Sequence, residues 1–476
     1  MTRESPTSEN CATLLLLSAL VAVVSFGDIA VQELHGTAAF YAALAREMLD
    51  AGDFLAPFQG PHAYLLKPPL ALWLSALCSW VFGINDFAMT LPSRLGGVGC
   101  VFLTYLLGKR LYGSAGGWFA ALVFATNGIY IQFTTNFRMD SLMTFGALLT
   151  VWGYLNLRDN RGAACLFGGI AIAALTKGPM IFAMVLIFVP HALAASPGRE
   201  ITRSVRYWWV LLLLPGAWFG YLWLVHGAEL AAQLNYDFWR GDTAIGLSAL
   251  DSATLEYVIK PMKRLLPWLP FMLIAIATAV YECCSPKYSS EQRADIALVL
   301  SLFVLNFVIA AIKPDPDVRY LYPSLPLLAV LTGGVFARFS GRQIPRWIMP
   351  VGCGILLLAL GYVAVITQRG LIDNRGLELM QSLAVRGKTS LTNTAVITDV
   401  IPPLGAPRRN DPVRDSAYYY FGFAPANLLW PKAKADIPPQ YRYFIVRRKK
   451  VYEAQLRELG LAVVARSAKL ILLKRV

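Results

Sequence analysis

Long apolar blocks separated by short polar segments dominate residues 1–368. The first block, residues 12–31, has no small-residue cleavage site and acidic residues lie at its end, so we interpret it as an uncleaved span rather than a signal peptide. Several blocks are shorter than the about 20 residues that a straight span needs. The pattern predicts a mainly α, polytopic membrane protein with about 11–13 transmembrane helices. The further apolar blocks lie near 88–108, 115–133, 141–157, 163–176, 180–196, 207–225, 264–282, 294–312, 320–338 and 346–367.

The apolar block at 69–83 decides the predicted orientation. It would extend about 22 Å as a helix, which is short of the about 30 Å hydrocarbon core. If this block does not cross the membrane, the basic loops all fall on the cytoplasmic side, as the positive-inside rule requires. We therefore predict a juxtamembrane helix at 69–83, about eleven spans, a cytoplasmic N terminus and an outer C terminus. The basic loops are Lys109-Arg110, Arg158–Arg161, Arg199–Arg206, Lys287–Arg293 and Arg338–Arg346.

Residues 369–476 differ in composition from the rest of the chain. They contain more charge, several prolines, a helical stretch near 450–459, and the β-prone runs TAVITDV, SAYYYFG, RYFIVRR, LAVVARS and KLILLKR. We expect a transmembrane domain at 1–368, with a first outer loop at 32–87, and a small C-terminal α/β domain at 369–476 outside the membrane.

Composition agrees with a membrane protein and excludes disordered, collagen-like and disulfide-scaffold classes. The chain is 56% hydrophobic and 15% charged, with a mean hydropathy of +0.51. Its net charge of +14 is better explained by basic cytoplasmic loops than by nucleic-acid binding. The seven cysteines and four histidines show no metal-ligand spacing. We expect no required cofactor. A divalent metal is an open alternative that the sequence does not support.

Ionisable residues lie at four points near the predicted outer edge of the membrane, where such groups are costly and therefore candidates for function. They are the opening loop with Asp28, Glu33 and Lys67, the RMD turn with Arg138 and Asp140, Lys177, and the segment with Arg319 and Tyr320. Each also has a structural explanation as a snorkelling lysine, a helix cap or a solvated charge pair. Together the cations predict a site for a lipid-linked phosphate or pyrophosphate, and the carboxylates are available for acid–base chemistry.

Several motifs between about residue 28 and 340 occur in an order typical of one family. By these motifs the chain resembles bacterial inner-membrane polyprenyl-phosphate-dependent glycosyltransferases of the aminoarabinose transferase and protein O-mannosyltransferase type, with the C-type membrane glycosyltransferase fold. The motifs are YAALAREMLDAGDF, YLLKPPLALW, LPSRL, LLGKRLYG, RMDSLMTF, ALTKGP, LLPWLPF and RYLYPSLPLLAVL.

The resemblance implies that a sugar is transferred from a polyprenyl-phosphate carrier to a lipid A, glycan or protein acceptor at the periplasmic face, without a nucleotide sugar. It implies that Lys67 and Lys177 bind the carrier phosphate, that Arg319 matches the basic residue before the tyrosine of the RY-LP stretch, and that Asp140 matches the aspartate of the turn after the third span. The implied partners are the lipid-linked donor, the acceptor and membrane lipids, with no nucleic acid.

The chain departs from the family at the start of the YAxxAREM helix. Family members usually carry an acidic pair just before its tyrosine, and the first acid is the expected catalytic carboxylate. Here the positions read Thr37-Ala38-Ala39-Phe40-Tyr41, and the nearest acids are Glu33 and Asp28. Three explanations remain open: Glu33 has taken over, the acceptor is already ionised and needs no base, or the chain is an idle or repurposed relative.

We expect an inverting transfer with Glu33, Asp140 and Asp28 as the candidate catalytic acids. The predicted substrate-binding residues are Lys67, Lys177, Arg319, Tyr320, Arg138, Tyr41 and Arg240. A flippase or transporter, and a non-catalytic partner that binds the lipid carrier, are the competing classes. Charges at one membrane edge rather than at the midplane weigh against transport.

Overall fold

The structure is a computed structural model in which the described residues form two compact units. The first unit comprises Met1–Phe26, Phe54–Leu74 and Leu91–Leu360, and the second comprises Gly27–Asp53, Ser75–Thr90 and Gly361–Val476. The predicted domain division at 368/369 stays a prediction. The described residues are 8–29, 33–34, 36–59, 62–157, 160–178, 187–195, 208–238, 264–311, 318–340, 347, 350–365, 393–397, 419, 428–429, 440–447, 460–466 and 470–475.

Helices occupy each predicted apolar block, so the chain is mainly α as expected. The predicted helix at 69–83 is present as α3, whereas its placement at the membrane surface stays a prediction. The helices are α1 (Ser8–Phe26), α2 (Thr37–Ala51), α3 (Leu70–Phe82), α4 (Asp86–Ala125), α5 (Gly128–Thr134), α6 (Met139–Leu155), α7 (Asn160–Lys177), α8 (Phe188–Ala195), α9 (Leu213–Phe238), α10 (Leu269–Cys284), α11 (Ser290–Ala311), α12 (Leu325–Ser340) and α13 (Pro350–Val365).

Three helical segments of the described chain are long and apolar enough to cross a membrane, namely Asp86–Ala125, Trp209–Gln233 and Val318–Phe339. Four shorter apolar helices are Cys11–Phe26, Leu70–Phe82, Leu269–Cys284 and Pro350–Val365. These segments agree with the membrane character, and the count of about eleven spans stays a prediction.

Helix α4 contains two of the predicted spans, 88–108 and much of 115–133. Gly113 interrupts it with a φ of 84°, a left-handed conformation that glycine adopts without a steric penalty. A methyl group on Gly117 would lie 2.6 Å from the carbonyl oxygen of Tyr105, so the two halves pack closely against each other. The predicted break between the two spans is therefore a tight reversal at Gly113.

Helices α6 and α7 pack through a seam of small residues. A methyl group on Gly169 would lie 2.5 Å from the carbonyl oxygen of Gly146, and one on Gly153 would lie 2.7 Å from that of Gly162. Small residues let two helix backbones approach within contact distance. This antiparallel register brings the first turn of α6 next to the last turn of α7.

The C-terminal residues contain a five-stranded sheet with the order β4-β3-β5-β7-β6. β3 is parallel to β4 and β5, and β7 is antiparallel to β5 and β6. Four of the five predicted β runs are thereby confirmed, while SAYYYFG and the predicted helix near 450–459 lie outside the described residues except for Tyr419. The strands are β3 (Thr394–Ile397), β4 (Leu428–Leu429), β5 (Tyr443–Arg447), β6 (Leu461–Arg466) and β7 (Leu470–Arg475), and a short hairpin pairs β1 (Phe58–Gln59) with β2 (His62–Ala63) in the first unit.

In the second unit, Tyr419 is buried against residues from the N-terminal part of the chain. The Arg46 guanidinium on α2 donates a hydrogen bond of 2.6 Å to the Tyr419 carbonyl oxygen. Burial raises the pKa of the Tyr419 phenol well above its usual range, and the neighbouring Asp86 carboxylate raises it further. Arg46 therefore bonds to the C-terminal part of the same unit.

Candidate active site

An ion pair between Asp140 and Lys177 forms the centre of the candidate site. Asp140 lies in the first turn of α6 and Lys177 is the last residue of α7, and their Oδ1 and Nζ atoms are in direct contact. The two side chains are only 7% and 12% exposed. The small-residue seam explains the pairing because it sets the register of the two helices.

Further cations and an aromatic ring surround this pair. Arg138 and Arg319 both interact electrostatically with the Asp140 carboxylate. The Tyr320 ring lies below two cations, with Lys177 Nζ 5.4 Å and Arg319 Cζ 5.1 Å from its centroid. Positive charge therefore exceeds negative charge around Asp140, which suits a phosphate ligand.

Buried hydroxyl groups hold the segment that carries Arg319 and Tyr320. Tyr322 is fully buried, and its hydroxyl lies 3.2 Å from Thr134 Oγ1 and 3.4 Å from Ser141 Oγ. Ser141 Oγ also donates to the carbonyl oxygen of Phe133 at 2.9 Å. These contacts attach the turn at 318–324 to the start of α6, where Asp140 lies.

The segment with Lys67 reaches the same part of the first unit. A methyl group on Gly178 would lie 4.0 Å from Pro68 Cγ, so the residues that follow Lys67 and Lys177 are neighbours. Gly178 has a φ of 91°, which favours glycine at this position. Lys67 of the KPP motif and Lys177 of the TKG motif are 110 positions apart in the sequence. The two motifs are nevertheless adjacent in the fold.

A glutamine from α9 holds the backbone just before Lys67. Gln233 Nε2 donates to the carbonyl oxygen of Ala63 at 2.6 Å, and Gln233 Oε1 accepts from the Leu65 N–H at 3.0 Å. The amide side chain thus replaces a neighbouring β-strand along this extended segment. Trp218 Nε1 adds a hydrogen bond of 3.0 Å to the Leu55 carbonyl oxygen.

The predicted acids of the opening loop belong to the second unit. Glu33 is 7% exposed, Asp28 is half-buried, and Tyr41 is 8% exposed on α2. Ala38, at one of the positions where the family's acidic pair is expected, is 2% exposed. Arg240 lies outside the described residues.

Sequence reasoning missed the residues that support the site rather than form it. Ser93, Gln233 and Tyr322 are buried or half-buried polar residues without charge. Only the motifs LPSRL and RYLYPSLP, which contain Ser93 and Tyr322, hinted at them. Among the described residues, no group of three or more His, Cys, Asp or Glu side chains has the geometry of a metal site.

The chain is similar in sequence to a family of mannosyltransferases and to several arabinosyl transferases. The dolichyl-phosphate-mannose-protein mannosyltransferase family matches residues 66–220, which include Lys67, Asp140 and Lys177. The undecaprenyl phosphate-alpha-4-amino-4-deoxy-L-arabinose arabinosyl transferase of Shewanella sediminis is 25% identical over 316 residues, covering 63% of this chain and 56% of that protein. The corresponding protein of Photorhabdus laumondii is 32% identical over 322 residues, covering 61% and 53%.

The crystal structure of ArnT from Cupriavidus metallidurans bound to undecaprenyl phosphate matches nearly the whole chain. The TM-score is 0.69 at 15% sequence identity, and the match covers 97% of this chain and 98% of that chain. The resemblance to membrane glycosyltransferases is confirmed. The chain has the fold of that ArnT. It spans 56% of the length of the Shewanella protein and 53% of the length of the Photorhabdus protein.

Proposed function

We propose that the chain is an inverting glycosyltransferase that moves a sugar from a polyprenyl-phosphate carrier to an acceptor. The observation that carries this proposal is the cluster of Lys177, Arg138 and Arg319 around the buried Asp140 carboxylate. Such a cluster supplies charge-assisted hydrogen bonds to a phosphate. The adjacent KPP segment adds Lys67 as a further cation.

In the proposed reaction, an acceptor oxygen attacks the anomeric carbon of the sugar from the face opposite the carrier. The bond between that carbon and the phosphate oxygen breaks, and the bonding electrons leave with the phosphate. Lys67, Lys177 and Arg319 stabilise the negative charge that develops on the departing polyprenyl phosphate. Lys177 has three N–H donors, so its contact with Asp140 leaves donors for the phosphate.

The proton balance depends on the acceptor. A hydroxyl acceptor loses its proton to a carboxylate, for which Glu33 and then Asp28 are the candidates. A phosphate acceptor is already ionised at neutral pH and needs no base. Asp140 keeps Lys177 and Arg138 in place, which is an electrostatic and positioning role.

We infer that the carrier is undecaprenyl phosphate, the lipid bound in the Cupriavidus ArnT crystal and named in the curated relatives. The proposed location is the bacterial inner membrane, with about eleven spans, a cytoplasmic N terminus and the sheet-containing tail in the periplasm. The acceptor is a lipid A, glycan or protein group. Tyr41 and Arg240 stay predicted substrate-binding residues.

The test is a transfer assay with the purified full chain in nanodiscs. It follows release of free undecaprenyl phosphate from a panel of undecaprenyl-phosphate sugars, with lipid A, glycan and peptide acceptors. Release that depends on both acceptor and Lys67 would support the proposal. Binding of the carrier without release from any donor would refute the transferase.

That second outcome would favour a repurposed relative that only binds the lipid carrier. The buried Ala38 at an expected acidic position is the observation in its favour. A repurposed relative predicts that the wild-type chain binds the carrier and that no donor–acceptor pair gives product.

A further inference from the structure

The Ser93 hydroxyl makes an unusual pair of contacts with the site segment. It accepts a hydrogen bond of 3.0 Å from the Arg138 N–H and donates one of 2.9 Å to the Arg138 carbonyl oxygen. Ser93 is 4% exposed and lies on α4, 45 residues away in sequence. A single hydroxyl therefore satisfies both backbone groups of one residue.

Arg138 is the residue that immediately precedes α6, so its backbone contacts affect how the helix begins. It precedes the helix with an extended backbone, φ −135° and ψ 127°, and its own side chain makes no capping hydrogen bond. Asp140 follows in the first helical turn. The Ser93 contacts therefore hold the backbone of the residue from which the first turn of α6, with Asp140, begins.

The neighbouring residue on α4 holds the other end of the same turn. Arg94 is fully buried and donates to the carbonyl oxygen of Thr135 at 3.0 Å and to that of Ser25. Thr135 is the C-cap residue that follows α5 and Ser25 lies in the last turn of α1, where helix carbonyl groups lack partners within the helix. The turn at 135–138 is thus attached to α4 at both ends.

Several buried threonines of the described residues donate to a carbonyl oxygen one turn earlier in their own helix. Thr104, also on α4 and fully buried, donates to the Cys100 carbonyl oxygen one turn earlier. Ser93 instead bonds to the segment that carries Arg138 and Asp140.

We propose that Ser93 is a positioning residue for the phosphate-binding cluster, acting through Arg138 and Asp140. This rests on the proposed function. Without the Ser93 hydroxyl, the start of α6 loses both hydrogen bonds that join Arg138 to α4, and the Asp140 carboxylate no longer holds Lys177 in the position that suits a phosphate. A displacement of about 1 Å in such a cluster can lower the rate about 10²-fold.

The experiment compares Ser93→Cys and Ser93→Ala with Thr104→Ala, which removes a buried hydroxyl from the same helix. Affinity for undecaprenyl phosphate, kcat and KM for the lipid-linked donor, and the thermal unfolding midpoint are measured on the full chain in nanodiscs. We expect Ser93→Cys, which nearly preserves volume, to remain folded and lose about 10²-fold in kcat/KM. Ser93→Thr keeps the hydroxyl and should retain most turnover, while Thr104→Ala should be near wild type.

A double-mutant cycle separates positioning from general destabilisation. In the Asp140→Asn background, adding Ser93→Cys should cost little further turnover, because the group it positions is already altered. Equal losses in both backgrounds would overturn the proposal, as would Ser93→Cys behaving like Thr104→Ala. Wild-type protein that neither binds the carrier nor transfers sugar would overturn the proposed function and this proposal together.

Discussion

Replacing Lys177 by methionine tests whether the lysine binds the carrier phosphate or only neutralises Asp140. In wild type, the two groups form an ion pair with side chains 12% and 7% exposed. Lys177→Met keeps most of the side-chain volume but leaves the buried carboxylate without its contact partner. Both roles predict a loss of activity, so the single variant does not distinguish them.

The expected magnitudes follow from the burial of the pair. Removing one partner of a buried ion pair costs about 3–5 kcal/mol of stability. Arg138 and Arg319 still interact with Asp140, so we expect the low end, about 3 kcal/mol. Loss of one preorganised charge contact with the reacting phosphate lowers kcat by about 10²–10³-fold.

The double variant Lys177→Met/Asp140→Asn separates the two effects. It removes both charges, so no buried carboxylate is left without a contact partner, and most of the thermal stability should return. Turnover and undecaprenyl phosphate affinity should stay low because the cation is still missing. The assay measures unfolding midpoint, carrier affinity and donor turnover on the same nanodisc samples.

A second ion pair, formed by the buried Glu282 and the partly exposed Arg338, provides the control. Glu282 is 3% exposed, contacts Arg338, and accepts a hydrogen bond of 3.0 Å from the Tyr112 hydroxyl. Arg338→Met should lower stability without changing donor KM, since the proposed mechanism does not use it. Full turnover in Lys177→Met, or recovered turnover in the double variant, would refute phosphate binding by Lys177.

Three further predictions concern the opening loop. Lys67→Ala should lower donor kcat/KM by about 10²–10³-fold in the release assay, and an unchanged value would contradict its assignment. Glu33→Gln should abolish transfer to a hydroxyl acceptor while the affinity for the carrier persists. If transfer survives in Glu33→Gln and is lost in Asp28→Asn, the base is Asp28 instead. Gln233→Leu removes both hydrogen bonds to the segment before Lys67 and should raise donor KM by up to about 30-fold, because each bond contributes about 1 kcal/mol and 1.4 kcal/mol corresponds to a factor of ten. Gln233→Glu keeps the acceptor for the Leu65 N–H, so its donor KM should lie between those of wild type and Gln233→Leu. Equal KM values in the two variants would refute the role of these hydrogen bonds in holding the segment before Lys67.

The helices were predictable because length and hydropathy are local properties of the chain. Each apolar block contains a helix, the KPP block forms the short α3, and four of five β-prone runs form strands. The strand at Leu428–Leu429 was not predicted, since two residues carry too little periodicity to indicate a strand. Charged residues beside the apolar blocks were found for a similar reason, because their cost in an apolar environment makes them conspicuous in sequence.

The uncharged supporting residues were not predictable in this way. Ser93 bonds to a residue 45 positions away, and Gln233 bonds to residues about 170 positions away. A serine or a glutamine in a helix has no local signature of such a contact, since its role depends on which backbone group it meets after packing.

The sequence by itself determined which segments are apolar helices, which charged residues lie beside them, and which family the motif order resembles. Only the tertiary structure decided that Asp140 pairs with Lys177, because their meeting depends on how closely the glycines of α6 and α7 allow the two backbones to approach. It also decided that α2 and the tail share one compact unit, which no local pattern indicates. Local periodicity specifies an element and its buried face, whereas pairing between distant elements depends on the complementary shapes of those faces.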